Sequence, residues 1–319
     1  MALIFSQVYQ ILRYLSIDGF VARTKPQPYT GGYAEYQGSL LYLGGDQVNP
    51  SRFYKVASAT TQPWPAANAY AFPKYGLGLV HDGGDNIAVV GTTDLNANRA
   101  TMHVSNDGGA TWSARALPLS RQWNSVAYGN GTFVVVGANY STYGTGSIAY
   151  SKDGGRTWPA VTGSYFLSGV TFACGYFWGH NYGSRRLFRS ADGINWTSVN
   201  LPSTPSGSAR ELLTANGRAF VELQATADNT VQTGILTSTD GVNWVAGKIP
   251  NLGNSYVIRS VYFALGKYYA LRHNASYLVS DDGVDWTAEN SGGPVPFYGL
   301  YVSGQHVWFP NSGNYFTHA

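Results

Sequence analysis

Cysteine is nearly absent: 319 residues contain one, Cys174. No disulfide can form within the chain, so no covalent staple sets the fold. Cys174 sits in Phe172-Ala173-Cys174-Gly175 and reads as an inert thiol rather than a nucleophile. Charge is scarce as well, with Asp, Glu, Lys and Arg making up 12% of the chain and a formal net charge of +3. That excess is small and no run of Lys or Arg accompanies it, which argues against nucleic acid as a partner. No apolar stretch reaches the roughly 18 residues of a membrane-spanning helix, so no membrane span is expected. The start, Met1-Ala2-Leu3-Ile4-Phe5, lacks the basic segment and small-residue cleavage site of a secretory signal, and synthesis in the cytoplasm is expected. The six histidines (81, 103, 180, 273, 306 and 318) show no metal-ligand spacing. Neither a metal nor a cofactor is expected.

Glycine (39), tyrosine (24) and tryptophan (9) are plentiful. That is the profile of a turn-rich all-β chain with a polar, aromatic surface. One turn recurs. Ser238-Thr239-Asp240-Gly241-Val242-Asn243-Trp244 has the same form as Ser190-Ala191-Asp192-Gly193-Ile194-Asn195-Trp196 and Ser280-Asp281-Asp282-Gly283-Val284-Asp285-Trp286. Two copies are one residue longer, running Ser105 to Trp112 around Asp107 and Ser151 to Trp158 around Asp153. A decayed copy, Ser58 to Trp64, has Thr60 in place of the aspartate. An Asp side chain accepts hydrogen bonds from backbone N–H groups just ahead of it, and the glycine supplies a turn that a side chain would obstruct. The closing tryptophan, Trp112, Trp158, Trp196, Trp244 or Trp286, buries roughly 150–250 Å² between neighbouring units. The repetition marks Asp107, Asp153, Asp192, Asp240 and Asp282 as structural, not catalytic.

The pattern S-x-D-G-x-x-W resembles the Asp-box (BNR) repeat of sialidases, sortilin-type receptors, xyloglucanases, a photosystem assembly factor and propeller modules of phage tail proteins. The resemblance covers about residues 31–319. It implies an all-β β-propeller with the boxes on peripheral turns, away from the binding face, and leaves the chemistry open.

Seven hairpin turns follow one another at Gln37-Gly38, Gly83-Gly84, Asn130-Gly131, Cys174-Gly175, Asn216-Gly217, Leu265-Gly266 and Ser303-Gly304, their second glycines 38 to 49 residues apart. Apolar runs flank each, a strong hairpin signal. Seven hairpins predict a seven-bladed propeller of four-stranded blades over residues 18–319, or six blades if the first hairpin is irregular. The last blade stops after Tyr315-Phe316, and residues about 19–23 (Gly19 to Arg23) are expected to supply its outer strand and close the ring. Leu3, Ile4, Val8, Ile11, Leu12 and Leu15 recur at helical spacing and predict a short amphipathic helix over 1–17. It either packs under the propeller or serves docking or homo-oligomerisation.

A ligand site belongs in the loops on the face opposite the boxes. Those loops offer Tyr140, Tyr143, Asn181, Tyr182, Arg185, Tyr256, His273 and Asn274, a set suited to a hydroxyl-rich glycan or to a protein surface. A glycoside hydrolase needs two facing carboxyls. Asp46, Asp94 and Asp228 fall in these loops and Glu211 and Glu222 flank the fifth hairpin, yet no pair stands out. The Arg-x-Pro motif of sialidases is missing, Arg23-Thr24-Lys25-Pro26 being no substitute. The expected function is a non-enzymatic binding or structural propeller, as in a phage tail or receptor-binding virion protein that attaches to a cell-surface glycan or to partner virion subunits. The alternatives are a polysaccharide hydrolase acting through the loop face and a purely structural assembly protein.

Overall fold

Five two-residue turns frame the molecule. Both residues of Gln37-Gly38, Asn130-Gly131, Cys174-Gly175, Asn216-Gly217 and Leu265-Gly266 have positive φ, between 47° and 79°. This conformation matches the right-handed twist of the strands it joins. Asparagine and glycine suit it; leucine does not, and Leu265 is 63% exposed there. Leu265→Asn should therefore stabilise the protein by about 0.5–1 kcal/mol, since a β-carbon in the left-handed region costs about 1–2 kcal/mol and asparagine tolerates it best. Chemical denaturation would show a raised midpoint at constant slope, and an unchanged midpoint would refute the strain.

The structure is a computed structural model. It describes residues 21–23, 30–44, 52–56, 72, 76–91, 101–119, 122–138, 146–161, 163, 165, 167–181, 184–203, 205–224, 234–250, 258–272, 276–290, 296–302, 305–310 and 315–318. In chain order the strands are β1 (Val21–Arg23), then β2 (Thr30–Tyr36), β3 (Ser39–Gly44) and β4 (Arg52–Val56) of the first blade. The second blade holds β5 (Gly76–His81), β6 (Ile87–Gly91), β7 (Thr101–Ser105) and β8 (Ser113–Ala116). The third holds β9 (Gln122–Gly129), β10 (Thr132–Ala138) and β11 (Gly146–Ser151), and the fourth β12 (Gly169–Ala173), β13 (Tyr176–His180), β14 (Arg186–Ser190) and β15 (Thr197–Asn200). The fifth holds β16 (Ser208–Ala215), β17 (Arg218–Gln224), β18 (Gly234–Ser238) and β19 (Val245–Ala246), and the sixth β20 (Ile258–Ala264), β21 (Lys267–Arg272), β22 (Ser276–Ser280) and β23 (Thr287–Asn290). Last come β24 (Pro296–Val302), β25 (Gln305–Pro310) and β26 (Tyr315–His318).

Each of these six blades is an antiparallel sheet of consecutive strands. The remaining sheet is a composite in the order β1-β26-β25-β24, with Val21 opposite Thr317 and Arg23 opposite Tyr315. The first and last of the described strands thus share one sheet.

The expectation of a seven-bladed propeller is corrected, and the expected amphipathic helix over 1–17 falls outside the described residues. The ring has six self-contained blades and one sheet completed from both ends. No helix occurs among the described residues, and residues 1–17 lie outside them. The first and third blades have three strands among the described residues. In the third blade the reason is Pro159, which follows the turn and has no N–H for the ladder. Pairing there shrinks to a bridge between Ala149 and Ala160, with Tyr150 N–H donating to the Pro159 carbonyl (3.2 Å) and Val161 N–H to Ile148 (2.8 Å). The Gly83-Gly84 hairpin is also longer than expected, since His81 pairs with Ile87 and the Asp82 carboxylate caps the N–H groups of Gly84 and Asn86.

The repeated turns tie each blade to the one before it. In all five, the serine hydroxyl donates to the aspartate, at 2.7 to 3.0 Å, and accepts the N–H of the glycine. The aspartate then accepts backbone N–H groups two to four residues on, those of Thr111, Thr157, Asn195, Asn243 and Asp285 among them. The buried glycine faces the preceding blade. A β-carbon at Gly109, Gly155, Gly193 or Gly241 would fall within 3 Å of Phe53, Val104, Val134 or Trp178 respectively. The tryptophans close the same seams. Trp112 meets Phe53 edge-on at 5.0 Å, Trp244 meets Trp178 at 5.4 Å and Trp286 meets Phe220 at 6.0 Å. Trp158 and Trp196 join clusters drawn from the second and third and from the third and fourth blades.

Candidate functional site

The repeat defines what each position should hold, so departures from it locate a site. On the inner strands β2, β5, β9, β16, β20 and β24 the pairing skips one residue: Gly31, Leu77, Asn124, Arg210, Arg259 and Phe297. Such bulges sharpen the local twist and re-aim side chains. In five strands the skipped residue lies six before the first turn residue, as in 124 to 130 and 210 to 216. Just before β12 the equivalent residue is Ser168, whose N–H donates to the His180 carbonyl (2.8 Å).

The residue paired just beyond this point sits at the loop end of the second strand, away from the hairpin turn. It is Leu43, Val90, Val136, Leu271 or Phe309 in five sheets. In the fourth and fifth blades it is His180 and Glu222. A position that is apolar and fully buried in Leu43, Val90, Val136 and Leu271 thus becomes titratable in two adjacent blades. Buried ionisable groups in place of hydrophobes are a mark of function.

His180 is 6% exposed and its ring lies on Gly169, where a β-carbon would come within 2.8 Å of Cε1. Burial pushes its pKa down to about 4, partly offset by the backbone of Arg210, so the ring is neutral at pH 7. Its Nδ1 is buried without a hydrogen-bond partner. Glu222 is 1% exposed. Its Oε1 accepts the N–H of Ile258 in the sixth blade at 3.0 Å and lies 3.9 Å from Nη1 of Arg210. Glu211 is directly opposite Glu222 in register. The group spans the seams on both sides of the fifth blade.

The loop after His180 latches onto the start of that blade. Ser184 bridges to Ala209, whose N–H donates to the Ser184 carbonyl (2.8 Å). The Arg185 guanidinium donates to the carbonyls of Gly207 and Pro202. Of the ligand residues expected from sequence, Asn181 and Arg185 lie in this latch, with the Asn181 carbonyl accepting Ser184 N–H at 3.1 Å. Tyr140, Tyr143, Tyr182, Tyr256, His273 and Asn274 lie outside the described residues, as do Asp46, Asp94 and Asp228. His180 and Glu222 were not singled out by loop composition. Aligning the strands on their hairpin turns would have found them.

Chemically, the site sets a half-buried guanidinium beside the buried carboxyl of Glu222, with Glu211 opposite in register and the neutral His180 ring buried in the neighbouring blade; polar recognition is strong where water is excluded. The carboxylates of the repeated turns are committed to their own N–H groups. Hydrogen bonds from Thr111 and Ser105 hold Asp107 down to about 2. Burial pushes Asp153 up, but bonds from Thr157 and Ser151 outweigh it and hold that carboxyl at about 2. Among the described residues no group of three or more His, Cys, Asp and Glu is placed to hold a metal ion.

Residues 191–317 match the model of the DUF6242 beta propeller domain. The chain is a β-propeller. The propeller is similar over 94% of its length to YCF48 from Cyanidioschyzon merolae, at TM-score 0.66 and 16% identity, covering 98% of that chain. It is similar to a structure described as YCF48 bound to D1 peptide at TM-score 0.67 and 16% identity, with 94% and 96% of the two chains covered. A streptogramin B lyase aligns at TM-score 0.67 and 10% identity, with 94% and 97% covered. At these identities the likeness is one of fold. None of the curated proteins matches.

Proposed function

We propose that this chain is a non-enzymatic binding propeller of the Asp-box type, whose partner meets the loop face over the fourth to sixth blades. The observation that carries the reading is the change from apolar to titratable residues at His180 and Glu222, at the loop end of adjacent blades. Stability alone favours an apolar residue there, as in the other sheets. A polypeptide partner fits the mixed donors and acceptors of the Arg210, Glu211 and Glu222 group, and a neighbouring fold is known with a peptide bound. No comparison bears on a virion role.

The test sets two charge reversals on opposite faces. Arg186 is exposed beside the latch, and Lys152 is exposed on a repeated turn. Immobilised protein is offered a displayed peptide library and a panel of polysaccharides, with release of reducing ends scored in parallel. Arg186→Glu should weaken retention of selected peptides by about tenfold, about 1.4 kcal/mol, and Lys152→Glu should leave it unchanged. Equal losses in both variants would move the interface off the loop face. Released reducing ends would replace the reading with a hydrolase, for which Glu211 and Glu222 are the opposed carboxyls.

A further inference from the structure

The chain has two Asn-Gly turns that are conformational twins. Asn130 and Gly131 have φ of 47° and 73°, Asn216 and Gly217 have 48° and 71°. Both asparagines are exposed, and a β-carbon at either glycine would meet nothing within 4 Å. They differ in what their amides do. Nδ2 of Asn130 donates to the carbonyls of Gly175 (3.0 Å) and Ala191 (2.8 Å) in the next blade. Asn216 makes no such clasp to the sixth blade among the described residues.

We infer that Asn216 is a site of spontaneous deamidation and isoaspartate formation, and that Asn130 is protected from the same reaction. The backbone nitrogen of Gly217 attacks Cγ of Asn216. A nitrogen–carbon bond forms, the carbon–nitrogen bond of the side-chain amide breaks, and ammonia leaves with the proton from Gly217. Water then opens the five-membered imide at either carbonyl, giving aspartate or isoaspartate, with no change in oxidation state. A glycine on the far side of the bond leaves the attack unobstructed. At Asn130 the same attack must first pull the amide off two carbonyl acceptors, which raises its barrier. Since the two turns share one backbone conformation, the clasp on the Asn130 amide is the difference that acts on the attacked group itself.

The modification touches a contact between blades. The Gly217 carbonyl accepts the N–H of Cys174 at 3.1 Å and its thiol at 3.3 Å. Isoaspartate inserts an extra carbon into the main chain just before Gly217 and shifts that carbonyl. The product also adds a negative charge two residues from Arg218, which lies over the Tyr268 ring of the sixth blade.

The experiment ages the intact folded protein in ¹⁸O-labelled water at mildly alkaline pH and maps label by peptide mass spectrometry. Label should enter at Asn216 about tenfold faster than at Asn130, the size of effect that one or two lost hydrogen bonds give. In denaturant the two sites should react at similar rates. Equal rates in the folded protein, or a faster Asn130, would overturn the inference. Asn216→Ser should remove the fast phase, and a fast phase that survives it would place the reaction elsewhere.

Discussion

Gly193→Ala should destabilise the propeller by about 2–5 kcal/mol, whereas Gly131→Ala should cost only about 1–2 kcal/mol. Both glycines are left-handed, at φ 76° and 73°, so both variants incur the strain of a β-carbon in that region, about 1–2 kcal/mol. Only at Gly193 does the new carbon meet a neighbour. It would lie 2.4 Å from Cγ2 of Val134, a fully buried residue of the preceding blade, whereas at Gly131 nothing lies within 4 Å. Overpacking of that kind adds about 1–3 kcal/mol. The shift would also disturb the Ser190 hydroxyl bonded to Gly193 N–H at 2.9 Å and the Trp196 ring N–H bonded to its carbonyl at 3.1 Å. Denaturant unfolding of the two variants measures the difference directly. Equal losses would mean that the repeated turns do not hold the blades together and are only local.

The repeated turn was legible because its parts are consecutive. Serine, aspartate and glycine meet within four residues, and short-range hydrogen bonds dictate their geometry whatever surrounds them. The hairpin turns were legible for the same reason, although Gln37, Cys174 and Leu265 occupy a left-handed position that their own preferences oppose. What the turns touch was not legible. The pairings Gly109 with Phe53 and Gly193 with Val134 join residues more than fifty apart, and nothing local to either residue announces the other. The number of strands per blade failed where one residue overrode the pattern, as Pro159 did in the third blade. The site was the least visible. Asn181 and Arg185 were chosen for residue type, yet Arg185 is turned onto two backbone carbonyls. His180 and Glu222 become conspicuous only when the blades are set in register.

His180→Leu should flatten the stability profile between about pH 6.5 and pH 4 while leaving the fold intact. The buried ring has its pKa lowered to about 4, from about 6.5 in an unfolded chain. Between those values the unfolded chain binds a proton that the folded one refuses. Stability is therefore undiminished above the unfolded value, falls as pH drops through the window, and levels off below about 4. The loss contributed by this one residue reaches about 3 kcal/mol at the bottom of the window. His103 is buried, with its ring edge-on to Phe72 at 5.3 Å, and burial lowers it to about 4 as well. The wild-type drop should accordingly be about twice that of the leucine variant. The aspartates act in a separate range. Asp107 and Asp153, held at about 2, contribute stability above the ordinary carboxylate value, and it is lost only as pH falls toward 2. Urea titrations at stepped pH separate the two windows, and an unchanged drop in His180→Leu would show that this ring is not the group responsible. At neutral pH the leucine restores what Leu43 and Leu271 supply in the first and sixth blades, and it should stabilise by about 1 kcal/mol through added apolar burial. A variant that gains stability yet loses peptide retention would show that the histidine is there for recognition, since folding would be better served without it.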